Sequence, residues 1–125
     1  MIEKKFLILL LEDSEYQTEQ IIEFLKKDTL LILAAETIKE AKKILHDMGK
    51  NIDLLILDLK LPDGNGLDFL RFARKSHLTI PAIITSAYIS ANVHRDGDRL
   101  QVHNYLEKPL SMNALQSEVD TVLSS

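Results

Sequence analysis

The sequence predicts an α/β fold in which a doubly wound, five-stranded parallel sheet is covered by helices on both faces. Two observations favour this architecture. Short, continuously apolar segments without polar alternation are typical of strands buried on both faces, as in a parallel sheet. These segments alternate with segments whose apolar residues recur at helical spacing, and a β-α order repeated along the chain favours an open, mostly parallel sheet.

Each element has a local signal in the sequence. The apolar runs occupy residues 6–11, 30–35, 54–57, 82–84 and, more weakly, 105–106. Helical stripes follow the first, second, third and fifth runs: Ile21, Ile22 and Leu25; Ile38, Ala41, Ile44, Leu45 and Met48; Leu67, Leu70 and Ala73; and Leu115, Val119, Val122 and Leu123. Helix N-caps are expected at Ser14, Thr37 and Ser111.

A further helix is expected over residues 91–100, although its own residues favour it weakly. Gly97 stands in the middle of this segment, and a glycine inside a helix costs on the order of 1 kcal/mol relative to alanine. The segment also has no clear apolar stripe. The helix is therefore predicted from the β-α alternation alone.

The composition indicates one domain, residues 1–125, with enough apolar residues (46%) to bury a core. The net charge of −4 argues against direct nucleic-acid binding and against attraction to an anionic membrane. Cysteine is absent, which excludes a disulfide framework and a thiolate metal site. The first apolar run is short and acidic residues follow it at once, so we expect neither a signal peptide nor membrane insertion. We therefore expect the protein to be cytoplasmic.

Polar residues stand where four of the predicted strands end. In chain order they are Glu12 and Asp13 after the first run, Asp58 after the third, Thr85 and Ser86 after the fourth, and Lys108 past the fifth. The carboxyl ends of parallel strands meet at one edge of an open sheet, which is where such sheets bind their ligands. The side chains are therefore expected to share one crevice.

The residue types in this crevice point to phosphoryl transfer. Two carboxylates about 4 Å apart repel by roughly 1 to 4 kcal/mol unless a cation lies between them. Oxygen ligands without histidine or cysteine favour Mg²⁺, which also pairs with phosphate oxygens. Lys108 adds a positive charge and Ser86 a hydrogen-bond donor. The nucleophile of this set is Asp58, which would form an acyl phosphate.

Four motifs lie at these strand ends: LEDS at 11–14, ILDLKLPDGNG at 56–66, PAIITSA at 81–87 and YLEKP at 105–109. Together, and in this order, they resemble the receiver domain of two-component response regulators, of the chemotaxis-regulator-like type. The resemblance covers essentially the whole chain. It implies a flavodoxin-like (βα)5 fold with strand order 2-1-3-4-5, and a switch phosphorylated by a histidine kinase or a histidine phosphotransfer protein.

The resemblance also implies roles for the site residues. Asp58 is the phosphoacceptor, and Glu12 and Asp13 are the acidic pair for Mg²⁺, with the backbone carbonyl of Lys60 as a further ligand. Lys108 binds the phosphate. Such a domain is not an enzyme in the usual sense, because it catalyses only its own phosphorylation and slow dephosphorylation.

The switch residues follow from the same resemblance. Ser86 matches the switch hydroxyl better than Thr85, because it precedes Ala87 and lies five residues after Pro81. Tyr105 matches the switch aromatic, although a half-buried strand aromatic without a switching role explains it equally well. Phosphorylation would change the surface of the fourth helix, fifth strand and fifth helix, and so control a downstream protein or a fused output domain.

Two features beside the fifth strand lead to further expectations. The resemblance implies a cis peptide bond between Lys108 and Pro109, which would aim the lysine into the crevice. The family usually has Gly-Ala before the last strand, where this chain has Gln101 and Val102. Small residues let the preceding loop rearrange, so this departure bears on the amplitude of switching and not on the phosphorylation chemistry.

Lys60 and Tyr88 are expected to tune the lifetime of the phosphorylated state. They stand two residues beyond Asp58 and two beyond Ser86, where they control the approach of water. Both are large, and neither is an acid or amide suited to orienting a water, which predicts slow hydrolysis. The alternative is that both side chains point to solvent and the rate is ordinary.

Other functions fit the sequence less well. A flavodoxin-like flavin carrier or similar binding module needs a phosphate-cradling loop after the first strand, where this chain has the acidic LEDSEY. A phosphatase with an aspartate nucleophile usually has a second acid where this chain has Lys60. A pseudo-receiver scaffold would lack a key residue, and none is missing. A free-standing switch, a phosphorelay intermediate and the N-terminal part of a longer chain all stay open.

Several remaining residues are expected to have structural roles only. Gly64 and Gly66 shape the turn after Asp58. Phe69 and Phe72 are expected to pack rather than to bind a cofactor. The histidines show no spacing typical of metal ligands and are expected at the surface: His46, His77, His94 and His103.

Overall fold

The alternation of apolar runs and helical stripes becomes five βα units in the computed structural model, which describes residues 5–76 and 78–124. The strands are β1 (Phe6–Leu11), β2 (Leu30–Ala35), β3 (Leu54–Asp58), β4 (Ala82–Ser86) and β5 (Asn104–Glu107). The helices are α1 (Glu15–Leu25), α2 (Ile38–Met48), α3 (Gly66–Lys75), α4 (Ala91–Arg99) and α5 (Met112–Leu123). A 3-10 turn at Gly49–Asn51 follows α2, and a short antiparallel ladder pairs Lys60–Leu61 with Gly64–Asn65.

The five strands form one parallel sheet in the order β2-β1-β3-β4-β5. The chain therefore winds outward from β1 in one direction to β2 and then in the other direction through β3, β4 and β5. This reversal opens a crevice at the carboxyl ends of β1 and β3, where open α/β sheets bind ligands. The predicted doubly wound, five-stranded flavodoxin-like sheet with order 2-1-3-4-5 is confirmed.

Two hydrophobic layers enclose the sheet, because successive strand residues point to opposite faces. Leu55 and Leu57 belong to the layer beneath α2 and α3, with α4 at its margin. Leu54 and Ile56 belong to the opposite layer, beneath α1 and α5. Every residue of β3 is buried, which explains its continuous apolar sequence.

The last three strands extend beyond the apolar runs that predict them. Asp58 pairs in register with Thr85, and Ser86 pairs with Glu107. The ladder continues past the last apolar side chain because strand pairing uses backbone groups, which polar residues also supply. Asp58 and Ser86 are consequently held on paired strands and not on loops.

Helix α4 forms as predicted, and the structure explains its mid-helix glycine. The Ser90 side chain caps the helix by accepting a hydrogen bond from the Val93 amide at 3.2 Å. Gly97 is buried against Tyr105, and a Cβ atom at this position would collide with the tyrosine ring and hydroxyl. The glycine therefore makes room for Tyr105, at the cost of helix propensity.

Gln101 ends α4 in a left-handed conformation, with φ of 61°. Its amide donates to the Asp98 carbonyl at 3.1 Å, and the Val102 amide donates to the Gly97 carbonyl at 3.0 Å. These two bonds form a Schellman motif, in which the left-handed residue is most often glycine. Gln101 thus adopts the backbone geometry that the expected glycine would adopt more easily.

Asp63 caps α2 from the loop that follows β3. Its carboxylate accepts hydrogen bonds from the Ile38 amide at 2.8 Å and from the Lys39 amide at 3.1 Å. The predicted cap, Thr37, accepts from the Glu40 amide at 3.1 Å. The two caps together satisfy three amides of the first turn and tie the loop after β3 to a neighbouring helix.

Several smaller expectations can be compared with the structure. The Lys108–Pro109 bond is cis, as the resemblance implies. Phe69 is fully buried, whereas Phe72 is 40% exposed with the Lys42 ammonium 4.6 Å from its ring centroid. Across residues 5–76 and 78–124, no helix has the length and apolarity needed to cross a bilayer. Three histidines are exposed as expected, and the fourth, His77, lies outside the described residues: His46, His94 and His103.

Candidate functional site

Three carboxylates meet at the carboxyl edge of the sheet. Glu12 directly follows β1 and is 3% exposed, and Asp58 ends β3 and is 5% exposed. Asp13 is exposed to solvent beside them. One carboxylate oxygen from each residue lies within 4.8 Å of the other two. The structure thus brings together the acidic residues that the sequence analysis placed at this edge.

Lys108 joins two of these carboxylates. Its Nζ donates to Glu12 Oε1 at 2.7 Å and to Asp58 Oδ2 at 2.8 Å, and its side chain is 15% exposed. Because β5 is the last strand, the lysine reaches the crevice across β4 from the far edge of the sheet. Its ammonium partly compensates the buried negative charge.

The electrostatics of the cluster raise the pKa of Glu12 toward neutrality. Burial raises the pKa of Glu12 to about 7; the hydrogen bond from Lys108 opposes this rise, and the neighbouring Asp58 carboxylate adds to it. Burial by itself would lower the pKa of Lys108, but its hydrogen bonds to Asp58 and Glu12 outweigh burial and the pKa is raised. The lysine therefore stays charged, and the glutamate is the group that titrates near neutral pH.

Ser86 lies at the same edge. It follows Thr85, the register partner of Asp58, and its carbonyl accepts a hydrogen bond from the Lys108 amide at 2.7 Å. Its hydroxyl accepts a bond from the Tyr88 amide at 3.4 Å. Thr85 and Ser86 are both buried, so burial does not distinguish between them as the functional hydroxyl.

The turn after Asp58 packs directly on the strand that carries it. The Gly66 amide donates to the Leu59 carbonyl at 2.9 Å, and a Cβ atom on Gly66 would collide with the Asp58 carbonyl oxygen. The Lys60 amide lies 3.4 Å from Asp58 Oδ1. Gly66 is thus more than a turn residue, because its missing side chain lets α3 begin against Asp58. The glycine-rich PDGNG segment is the signal for this contact.

The donor set fits a hard divalent cation. All three candidate ligands supply carboxylate oxygens, and the exposed Asp13 leaves one side of the cluster open to solvent. Mg²⁺ prefers oxygen ligands and retains several of its waters, so an open, all-oxygen site suits it. The three residues that could hold it are Glu12, Asp13 and Asp58.

Three further predicted site residues are Tyr105, Lys60 and Tyr88. Tyr105 packs against α4, where its hydroxyl donates to Asp98 Oδ1 at 2.9 Å and approaches the His94 carbonyl oxygen at 3.1 Å. Lys60 and Tyr88 are both exposed, and Tyr88 retains 75% of its accessible surface. The involvement of Asp98 and His94 could not be predicted from the sequence, because no motif contains them.

The profile of the response regulator receiver domain matches residues 8–120. The chain belongs to this receiver-domain family. It is also similar to the transcriptional regulatory protein CpxR of Escherichia coli K12, with 32% identity over 93% of the chain and 48% of CpxR. The response regulator protein PilR of Pseudomonas aeruginosa is 29% identical over 91% of the chain and 25% of PilR.

Among solved structures, the non-phosphorylated HemR receiver domain from Leptospira biflexa superimposes with a TM-score of 0.89. The two are 31% identical, and the alignment covers 97% of this chain and 96% of HemR. The alignment thus covers nearly all of the HemR receiver domain, whereas this chain spans about half or less of CpxR and PilR. The family consists of signalling switches of two-component systems, whose partners are histidine kinases.

Proposed function

We propose that this receiver domain accepts a phosphoryl group on Asp58 from the phosphohistidine of a histidine kinase or a histidine phosphotransfer protein. A carboxylate oxygen of Asp58 attacks phosphorus as the P–N bond breaks. The histidine nitrogen keeps the bonding electron pair, and the new P–O bond makes an acyl phosphate. The position of the Lys108 Nζ, 2.8 Å from Asp58 and 2.7 Å from Glu12, is the observation that carries this proposal.

Glu12, Asp13 and Asp58 would hold Mg²⁺, with the Lys60 carbonyl as a further ligand. When bound, the metal supplies positive charge that offsets the carboxylates and the phosphoryl oxygens. The acidic cluster supports this assignment, because three carboxylates and one ammonium leave excess negative charge that would otherwise repel a phosphoryl donor.

Lys108 and Ser86 would then stabilise the phosphoryl group. The Lys108 ammonium already bonds the Asp58 oxygen and can move to a phosphoryl oxygen without crossing the site. The Ser86 hydroxyl can donate to another oxygen, because it accepts a bond from the Tyr88 amide and its own proton stays available. Both contacts become stronger as charge accumulates on the transferred group.

The output surface would be formed by α4, β5 and α5. Ser86 ends β4 and Tyr105 lies on the adjacent β5, so a shift of the serine toward the phosphoryl group can be followed by the tyrosine. The resulting surface would control a downstream protein or a fused output domain. Amide exchange is expected to change within residues 86–110 when beryllofluoride binds, and an unchanged profile there would contradict this output surface.

Labelling with a small phosphodonor tests the phosphoacceptor. Incubation with acetyl phosphate and Mg²⁺ should add one phosphoryl group, visible by mass spectrometry of the intact protein and labile to hydroxylamine. Asp58→Asn should abolish it. Asp47→Asn is the matched control, because Asp47 is exposed on α2 and away from the sheet edge. Full labelling of Asp58→Asn would disprove the assignment.

A further inference from the structure

Helix α4 holds Tyr105 through contacts that are distinct from the phosphorylation site. The tyrosine hydroxyl donates to Asp98 Oδ1 at 2.9 Å and lies 3.1 Å from the His94 carbonyl oxygen. The His94 ring packs against the tyrosine ring at a centroid distance of 4.2 Å, with the two ring planes tilted by 51°. Gly97 lies between these two contact residues and leaves the space that the ring edge occupies.

The same helix is fixed at its C-terminal end, so the position of these contacts is set by α3. Arg74 donates to the Leu100 carbonyl at 2.9 Å and to the Leu78 carbonyl at 2.9 Å. Arg71 also approaches Asp96 at 3.6 Å, but this ion pair is exposed and contributes little to holding the helix. Tyr105 can therefore leave the contact by rotating its own side chain, without unfolding or shifting the helix that holds it.

We propose that Asp98 is a positioning residue that holds Tyr105 on α4 and thereby opposes the switched state of the receiver domain. The inference rests on the proposed function, because it requires Tyr105 to move when Asp58 is modified. Asp98 acts through Tyr105, and within residues 5–76 and 78–124 its carboxylate makes no hydrogen bond to Glu12, Asp13 or Asp58. The residue would set how much of the domain is switched before phosphorylation.

Linkage gives the sign of the effect. A ligand that binds one of two states binds more weakly when the other state is stabilised. Its apparent affinity is proportional to the fraction of molecules that are in the state it binds. The Asp98–Tyr105 hydrogen bond stabilises the state in which the tyrosine lies on α4. Its removal should therefore tighten the binding of beryllofluoride, a mimic of the phosphoryl group, at the Asp58 site.

Beryllofluoride titration in saturating Mg²⁺ tests this with four variants. Asp98→Ala and Tyr105→Phe should each tighten binding by roughly threefold to tenfold, which is less than a buried bond to a charged acceptor would give, because this bond is exposed to solvent. The double variant should bind no more tightly than Tyr105→Phe, because both changes remove the same bond. Gly97→Ala should also tighten binding, since its methyl group would displace the tyrosine ring.

Asp96→Ala is the matched control, because it removes the same charge from the same helix but faces Arg71. Its affinity for beryllofluoride should equal that of the wild type. A second measurement follows the Tyr105 ring by NMR: in unliganded Asp98→Ala its resonances should shift toward their positions in the beryllofluoride complex of the wild type. A merely structural role for Asp98 would not produce that shift.

The results separate the two proposals. If the wild type binds beryllofluoride, Asp58→Asn does not, and Asp98→Ala binds like the wild type, the role of Asp98 is wrong and the proposed function stands. Equal tightening in Asp96→Ala would also overturn the role of Asp98, because a general charge effect would explain it. Failure of the wild type to bind beryllofluoride would overturn both.

Discussion

Glu12 makes the metal-free site sensitive to pH at the scale of one side chain. Its pKa is raised by burial from 4.5 to about 7, so the folded protein binds a proton that the unfolded chain releases. The protonated glutamate contributes stability that is fully present below about pH 4.5 and is lost as the pH rises through about 7. The same proton must leave before Glu12 can bind a metal ion.

Glu12→Gln should therefore flatten the pH dependence of stability. Without Mg²⁺, the free energy of unfolding of the wild type should fall between about pH 5 and pH 7.5, and that of the variant should fall less. Urea unfolding at a series of pH values measures both. Glu19→Gln, an exposed change on α1, should behave like the wild type. Equal slopes for the wild type and Glu12→Gln would contradict the raised pKa of this residue.

We also expect the Lys60 and Tyr88 side chains to lengthen the lifetime of an acyl phosphate on Asp58. Both side chains are exposed, and they stand two residues beyond Asp58 and two beyond Ser86 in the chain. Excluding one well-placed water costs roughly 1.4 to 2.8 kcal/mol of barrier, or one to two orders of magnitude in rate. The double variant Lys60→Asn/Tyr88→Glu should lose phosphate about 10-fold to 100-fold faster in a decay time course. No acceleration would mean that these side chains do not shield the site.

Gln101 limits stability at the scale of an element, because it occupies the left-handed position that ends α4. This conformation costs a residue with a side chain about 1 to 2 kcal/mol. Replacing it with glycine removes that cost, but part of the gain is lost because glycine also makes the unfolded chain more disordered. Gln101→Gly should therefore stabilise the domain by about 0.5 to 1 kcal/mol, measured as a higher urea midpoint. Gln20→Gly within α1 is the matched control and should destabilise it by about 1 kcal/mol. A lower midpoint for Gln101→Gly would show that glutamine is not strained there.

The helices and strands could largely be predicted from the sequence, but the residues at which they end could not. Continuous apolar runs predicted all five strands, because a sheet covered on both faces admits few polar residues. The polar ends of β3 and β4 were missed because apolar patterning says nothing about backbone pairing. The Asp63 cap on α2 was also missed, since its partners are 25 and 24 positions away in the chain. Gly97 weakened the prediction of α4 for a reason that only the tertiary contact with Tyr105 explains.

Metal binding should stabilise the whole molecule, because the clustered acids repel one another in its absence. A ligand at roughly tenfold excess over its dissociation constant adds about 1.4 kcal/mol to the free energy of unfolding, which raises Tm by several degrees. Millimolar Mg²⁺ should produce such a shift in the wild type, measured by calorimetry. Asp13→Ala should abolish it and can raise the Tm of the metal-free protein by relieving repulsion. A wild-type Tm indifferent to Mg²⁺ would contradict the metal site.

At the scale of the whole molecule, strand order is what made the site predictable. Once the chain is a parallel sheet, Glu12, Asp13, Asp58 and Lys108 must lie at one edge, whatever their separation in sequence. Which atoms then bond is a matter of side-chain geometry that no motif encodes. Two such contacts could not be predicted: the Lys108 ammonium shared by Glu12 and Asp58, and the hydrogen bond between Asp98 and Tyr105.

The shared ammonium has a consequence for how the molecule is made. Glu12 and its partner Lys108 are 96 positions apart, and the lysine enters the crevice only when β5 has joined the sheet. During synthesis the N-terminal part of a chain emerges and begins to fold first, so Asp58 leaves the ribosome well before its cation. A nascent chain would thus carry the proposed nucleophile without the charge that we propose accommodates a phosphoryl group. A kinase would encounter Asp58 together with Lys108 only after translation has passed the last strand of the sheet.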